Sequence, residues 1–265
     1  MMASMTHGMF DCIGLSLDDE RTVESFVAEH REELTGVTLD DGWFAGRWTD
    51  PSGAIVWVEL GPDGAVGATP GFAGDHGVRV VAPLWVERTD RIVFDVPDDG
   101  GETATRFCAD VEQWWRWTGL PEETSALASV AGLVQQVAVF ADTDAFRASP
   151  EADIGELDEP RTLPDGTVQT RMTLAAGSFI PLGMFGEQAN AMAQISGIVE
   201  SAELRTNQAT GEPYVTATVR AVGVFPIALC WPVALAPVPE VGNVVHAQAY
   251  LTARVERTND LTDAA

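Results

Sequence analysis

A chain of 265 residues, 46% of them apolar, is long enough for one large domain or two ordinary ones and too apolar for wholesale disorder. Its 40 acidic residues face only 15 basic ones, and the net charge of −25 repels phosphate backbones, which sets nucleic-acid binding aside. Three scattered cysteines, Cys12, Cys108 and Cys230, with no Cys-x-x-Cys pair, exclude a disulfide scaffold and point to a reducing compartment. No basic-then-apolar leader opens the chain, so a cytoplasmic location is expected. All 15 basic residues are arginine. Residues 1–160 hold 31 acids and nine arginines, net −22, whereas residues 161–265 hold nine acids and six arginines, net −3. That asymmetry predicts an acidic N-terminal domain, 1–148, and a near-neutral C-terminal one, 165–265.

In chain order, Phe10 to Leu17 reads as a first strand. Asp18 to Leu34 follows as a helix, with Ser16 or Asp18 as cap, a stripe of Val23, Phe26, Val27, His30 and Leu34, and Gly36 as stop. His30 belongs to that stripe as a core or boundary residue. Trp43 to Trp48 and Ala54 to Leu60 flank Thr49-Asp-Pro-Ser-Gly53, where Asp bonds the backbone, Pro presets its angle and Gly takes a positive one. Gly61-Pro-Asp-Gly64 is a second turn of that kind. Trp43, Trp48 and Trp57 are read as core rather than as a ligand platform. Val78 to Glu87 and Arg91 to Val96 form a strand pair joined by Arg88-Thr-Asp90. Phe107 to Trp117 fits a helix stripe through Trp114 or a strand pairing back on Val93, and the strand is preferred.

Ser129 to Ala141 is valine-rich and predicts a central strand, followed by a helical turn over Asp142 to Arg147. Residues 149–164 are dense in acid and proline and predict a linker. Thr167 to Leu174 adds a strand and Ser178 to Phe185 an apolar connector. Ala193 to Leu204, Tyr214 to Ala221 and Val244 to Val255 are strands with a two-residue period. In the last, Val245, Ala247, Ala249, Leu251, Ala253 and Val255 oppose His246, Gln248, Tyr250, Thr252 and Arg254. The uncharged stretch from Ala221 to Pro239 has the length of a membrane span, but Pro226, Pro232, Pro237 and Pro239 would break a helix. It predicts a strand, Val224 to Trp231, and a loop. The fold class is thus α+β, mostly β: an acidic α+β domain and a C-terminal antiparallel barrel or sandwich. No internal repeat is visible.

Phe10-Asp-Cys-Ile-Gly14, Trp48-Thr-Asp-Pro-Ser-Gly-Ala54, Ser178-Phe-Ile-Pro181 with Phe185-Gly186, and Thr206-Asn … Thr210-Gly-Glu-Pro-Tyr214 resemble segments of a family of uncharacterised bacterial proteins. That resemblance brings no activity. In pattern the C-terminal strands are similar to an OB-like barrel, and the N-terminal strand-helix-strands order looks like a vicinal-oxygen-chelate module. Fold analogy alone licenses no function.

Chemistry-bearing motifs are scarce. A Walker loop needs a lysine, and there is none; nor is there a Gly-x-Gly, a Gly-x-Ser-x-Gly or a His-Glu-x-x-His. A metal site of the vicinal-oxygen-chelate kind could draw only on His76 with Glu59 or Asp75, since His7 lies near the terminus and His30 on the helix stripe. The acid pairs Asp18-Asp19, Asp40-Asp41 and Asp98-Asp99 lie beside turns and read as solvated surface. The outward faces of the C-terminal strands carry Tyr214, Arg220, Tyr250 and Arg254, residue types that dominate binding hot spots. The expected function is therefore non-catalytic binding of a protein or small-molecule ligand through these four residues, with no catalytic or metal residue and no cofactor. A metal-dependent enzyme is the alternative.

Overall fold

Val245, Ala247, Ala249, Leu251, Ala253 and Val255 are all buried, as a two-residue period demands of the dry side of a strand. The computed structural model describes residues 8–17, 22–64, 66–74, 77–85, 91–98, 100–114, 124–162, 166, 168–185, 189–221 and 225–257. Strands make up 56% of it and helix 13%, so the protein is α+β and mostly β.

Four strands, β1 (Thr35–Thr38), β2 (Phe44–Thr49), β3 (Ala54–Leu60) and β4 (Val66–Phe72), form an antiparallel sheet in sequence order, preceded by the helix α1 (Val23–Glu29). A meander follows: β5 (Gly77–Trp85), β6 (Arg91–Pro97) and β7 (Thr103–Val111), then the long strand β8 (Ala126–Phe140). After α2 (Thr143–Arg147), β9 (Asp153–Thr162) and β10 (Val168–Thr173) make a two-stranded ribbon. The short β11 (Phe179–Ile180) leads into a second meander, β12 (Met192–Thr206), β13 (Pro213–Arg220) and β14 (Pro226–Pro232), and then a second long strand, β15 (Val244–Arg257).

The two meanders are wired alike. The first strand of each pairs antiparallel with the long strand that follows it, β5 with β8 and β12 with β15. The last strand of each pairs parallel with the other long strand, β7 with β15 and β14 with β8. β8 and β15 pair antiparallel with each other from Phe140↔Val244 to Ala126↔Arg257. Two five-strand rings, β5-β6-β7-β15-β8 and β12-β13-β14-β8-β15, therefore share one central pair. One apolar core runs through both, from Phe94 and Phe107 to Ile227 and Trp231. The expected antiparallel C-terminal barrel is corrected in one respect: the large sheet is mixed, because its rings close through strands from both halves of the chain. The repeat that no side-chain pattern reveals is a repeat of connectivity.

The N-terminal segment differs in detail from its expected course. Phe10 to Leu17 is not a strand. Asp11–Ile13 is a 3-10 turn closed by Gly14 at φ 65°, and Phe10, Cys12, Ile13 and Leu15 are buried around it. A run of alternating apolar residues this short fits either shape, and the positive angle at Gly14 decides. The helix is shorter than Asp18 to Leu34, and its cap is Thr22, whose Oγ1 accepts from Ser25 N at 3.2 Å. Asp18 and Asp19, and the turn Arg88 to Asp90, lie outside the described residues. Residues 107–111 are strand, with Val93 opposite Cys108. Within the segment expected as a linker, Asp153–Thr162 is β9, paired with β10.

The division at 149–164 also lies between β8 and β15. A chain cut there leaves each piece with one long strand lacking its partner. Fragments 1–148 and 149–265 made separately should each fail to show a cooperative thermal transition, and mixing them should restore one near that of the intact chain. A cooperative transition from either fragment alone would show that its ring closes without the other long strand.

Candidate functional site

Alternation along β3 sends Ile55, Trp57 and Glu59 to one side, where Asp110 of β7 and, from the turn that follows it, Glu112 and Trp114 meet them. Backbone order persists past the strand end, since Glu112 N donates to Ala253 O at 3.1 Å. The seam between the small sheet and the outer face of the rings is therefore lined with acids, tryptophans and arginines.

At one end Trp114 Nε1–H donates to Glu59 Oε1 at 2.5 Å. There the seam opens into a cleft of about 250 Å³, walled by the rings of Trp43, Phe44 and Trp114 with Asp41 and Glu59 at its edge. Trp48 and Trp57 are buried as expected, whereas Trp43 is only half-buried and faces this space. In the middle, Arg91 Nε donates to Asp110 Oδ1 at 3.1 Å and Arg91 Nη2 to Tyr250 OH at 3.2 Å. Tyr250 OH in turn donates to Asp110 Oδ2 at 2.5 Å. Burial, and then the neighbouring Asp110 charge, raise the Tyr250 pKa, so its hydroxyl stays protonated and remains the donor.

At the other end Glu112 is 7% exposed, and its Oε2 lies 4.0 Å from Arg47 Nη1. That oxygen has no hydrogen-bond partner among the described residues. Burial pushes its carboxyl up to about 7, with Arg47 and Arg254 pulling the other way. A second cavity, about 200 Å³, lies against Glu112, with Arg254 and Glu256 on its wall.

The four residues expected to bind are not brought together. Tyr214 is fully buried beneath the N-terminal segment, and its OH donates to Ser52 O at 2.9 Å. Arg220 is exposed and ion-paired with Glu200. Tyr250 is held in the Asp110 network, and Arg254 reaches Glu256 at 2.8 Å. The outer face of β13 and β15 is thus covered at Tyr214 and Tyr250 and open at Arg220 and Arg254, which alternation cannot foretell because it separates two faces without saying which one water wets.

The Tyr214 region is a polar clamp. Asp50 Oδ2 accepts from Gln208 N at 3.0 Å, Asn207 Nδ2 donates to Ile13 O at 3.0 Å, and Thr210 Oγ1 donates to Gly14 O at 2.6 Å. Of the residues weighed for metal, Glu59 is engaged by Trp114, while His7, Asp75 and His76 lie outside the described residues. Among the described residues no group of three His, Cys, Asp or Glu side chains could hold a metal ion. Ser196 Oγ lies 2.8 Å from His246 Nδ1, but the other ring nitrogen faces the Gln194 amide, so no carboxylate orients the pair as a nucleophile and base. Glu112 escaped sequence reasoning. The signal for it was Asp110-x-Glu112-x-Trp114, polar groups at strand spacing opposite the buried Ala109 and Val111.

No family model, curated protein or solved structure matches the chain. Among the described residues no helix is long and apolar enough to cross a membrane.

Because the folded pKa of Glu112 is raised, the folded state holds its proton more tightly than the unfolded state between pH 4.5 and about 7, and stability falls as pH rises through that window. Glu112→Gln removes this dependence and should be the more stable protein at pH ~8, by on the order of 3 kcal/mol, in denaturant titrations. Tyr214→Ser should cost about 3–5 kcal/mol by the same measurement, the scale of emptying a buried aromatic site.

Proposed function

We propose that this is a non-catalytic binding protein whose ligand is an organic cation, held in the cleft of Trp43, Phe44 and Trp114 over Glu59. The observation that carries the reading is the cleft itself: three aromatic rings around about 250 Å³, with a carboxylate anchored at the wall by Trp114. Ring faces attract ammonium groups, tryptophan most strongly, and a fixed carboxylate beside them adds charge. The global charge supports it. A net −22 over residues 1–160 draws cations toward the half that carries Trp43, Glu59 and Trp114. A quaternary or primary ammonium is the class that fits, free or on a side chain of another protein.

This keeps the expectation of a binding protein and moves its site from the outer faces of β13 and β15 to the seam. The same proposal puts the protein in the cytoplasm, on the strength of its sparse, odd-numbered cysteines with no Cys-x-x-Cys pair. It takes the C-terminal ring as OB-like, since it is a five-strand closure built on a three-strand meander.

Calorimetric titration with choline tests the reading against 3,3-dimethylbutanol, its neutral isostere. Choline should bind with a Kd of roughly 10 µM to 1 mM, and Glu59→Gln or Trp114→Ala should weaken it about tenfold. Equal binding of the neutral isostere, or no choline binding, would sink the proposal.

A further inference from the structure

The cavity at the far end of the seam is separate from the aromatic cleft, and its lining has a different chemistry. Ile55, Phe72 and Gly74 form its apolar side, while Ser129 and Arg254 stand among its polar groups with Glu112. At about 200 Å³ it far exceeds the ~10–15 Å³ that one water needs. An ionised carboxyl this deeply buried, with one oxygen unpartnered, is costly unless something donates to it. Arg47 is too distant for a hydrogen bond, at 4.0 Å. Oε2 itself has no water-accessible surface, so a cationic donor in the cavity would meet the part of the Glu112 side chain that lines it. At the wall, Arg254 is exposed and already holds Glu256, and a guanidinium has donors enough for a second carboxylate.

We propose that this cavity binds a small zwitterion, with its ammonium on Glu112 and its carboxylate on Arg254. The ligand class is a short ω-amino acid, because both ends must be charged and the body between them must lie against Ile55 and Phe72. Glu112 binds the ammonium in its ionised form. Among the described residues the charged groups around it are Arg47 from β2, Asp110 from β7, and Arg254 and Glu256 from β15, while β3 and β4 present uncharged Ile55, Trp57, Thr69, Pro70, Gly71 and Phe72, and β8 presents Leu127 and Ser129. The two arginines favour ionisation and burial opposes it, so affinity rises with pH around 7.

Calorimetry on the full chain with glycine, β-alanine and γ-aminobutyrate decides the matter, with methylammonium and acetate as single-charge controls. At least one amino acid should bind more tightly than both controls. Its affinity should rise from about pH 6 to about pH 8, and Glu112→Gln and Arg254→Gln should each weaken it about tenfold or more. Glu112→Gln is expected to fold at least as well as the parent, so its loss of binding is readable. Choline affinity should not change in either variant, which separates this site from the aromatic cleft. Three results would each overturn the proposal: no amino acid binding up to ~10 mM, methylammonium binding as well as the best amino acid, or both variants binding like the parent.

Discussion

Fourteen residue pairs join β8 to β15, and every other part of the large sheet is attached to one edge or the other of that ribbon. Each long strand follows its own meander in sequence and completes the other meander's ring in space. Sheet edges are thereby removed on both sides, which a single meander could not do. The chain must wait for β15, its last described strand, before either ring can close. Long-range pairing of that kind makes folding slow and cooperative rather than sequential. It also explains why one apolar core serves both rings: the ribbon's dry face passes from the interior of one to the interior of the other.

On that ribbon's outer face the N-terminal segment is fixed by polar groups as well as by apolar contact. The hairpin turn between β12 and β13 reaches the turn at Asp11–Gly14 through Asn207 and Thr210, and the turn at Asp50–Gly53 through Gln208 and Tyr214. Gly14 and Gly53 are required there twice over, by positive φ and by room. A Cβ on Gly14 would stand 2.7 Å from Glu212 O, and one on Gly53 would stand 2.9 Å from an Arg205 nitrogen. Three short segments, Phe10 to Gly14, Trp48 to Ala54 and Thr206 to Tyr214, meet at this one place. Their composition is that of a satisfied buried network, which fixes how the small sheet sits on the rings and hence how the seam is shaped.

Strand identity was legible along most of the chain because period-two alternation and turn chemistry are local. Val244 to Val255 and the Asp-Pro-Ser-Gly hairpin were readable for that reason. Connectivity was not legible, since β7 beside β15 and β14 beside β8 are parallel contacts between residues more than ninety positions apart. The same gap hid the seam. Tyr214 and Tyr250 lie on the polar side of their strands, which reads as a wet face, yet the N-terminal half covers Tyr214, and Tyr250 is tied into a buried ionic network. Glu112 and Trp114 sat in a stretch that fits helix or strand equally by apolar period. Their meaning depends on Ile55, Trp57 and Glu59 facing them across two layers.

A polar seam is an odd choice for joining two layers that could have packed on leucine and valine. An unsatisfied buried carboxyl lowers stability, and an apolar residue at position 112 would avoid that cost. In the middle of the seam the ionic groups are mutually satisfied, as Arg91, Asp110 and Tyr250 are. At both ends they are not closed off in this way: the aromatic rings border open space, and Glu112 borders a cavity. Groups that merely glue layers together end in one another. Groups that end in empty volume, within a molecule of net charge −25, are what our proposal rests on: something positive completes them.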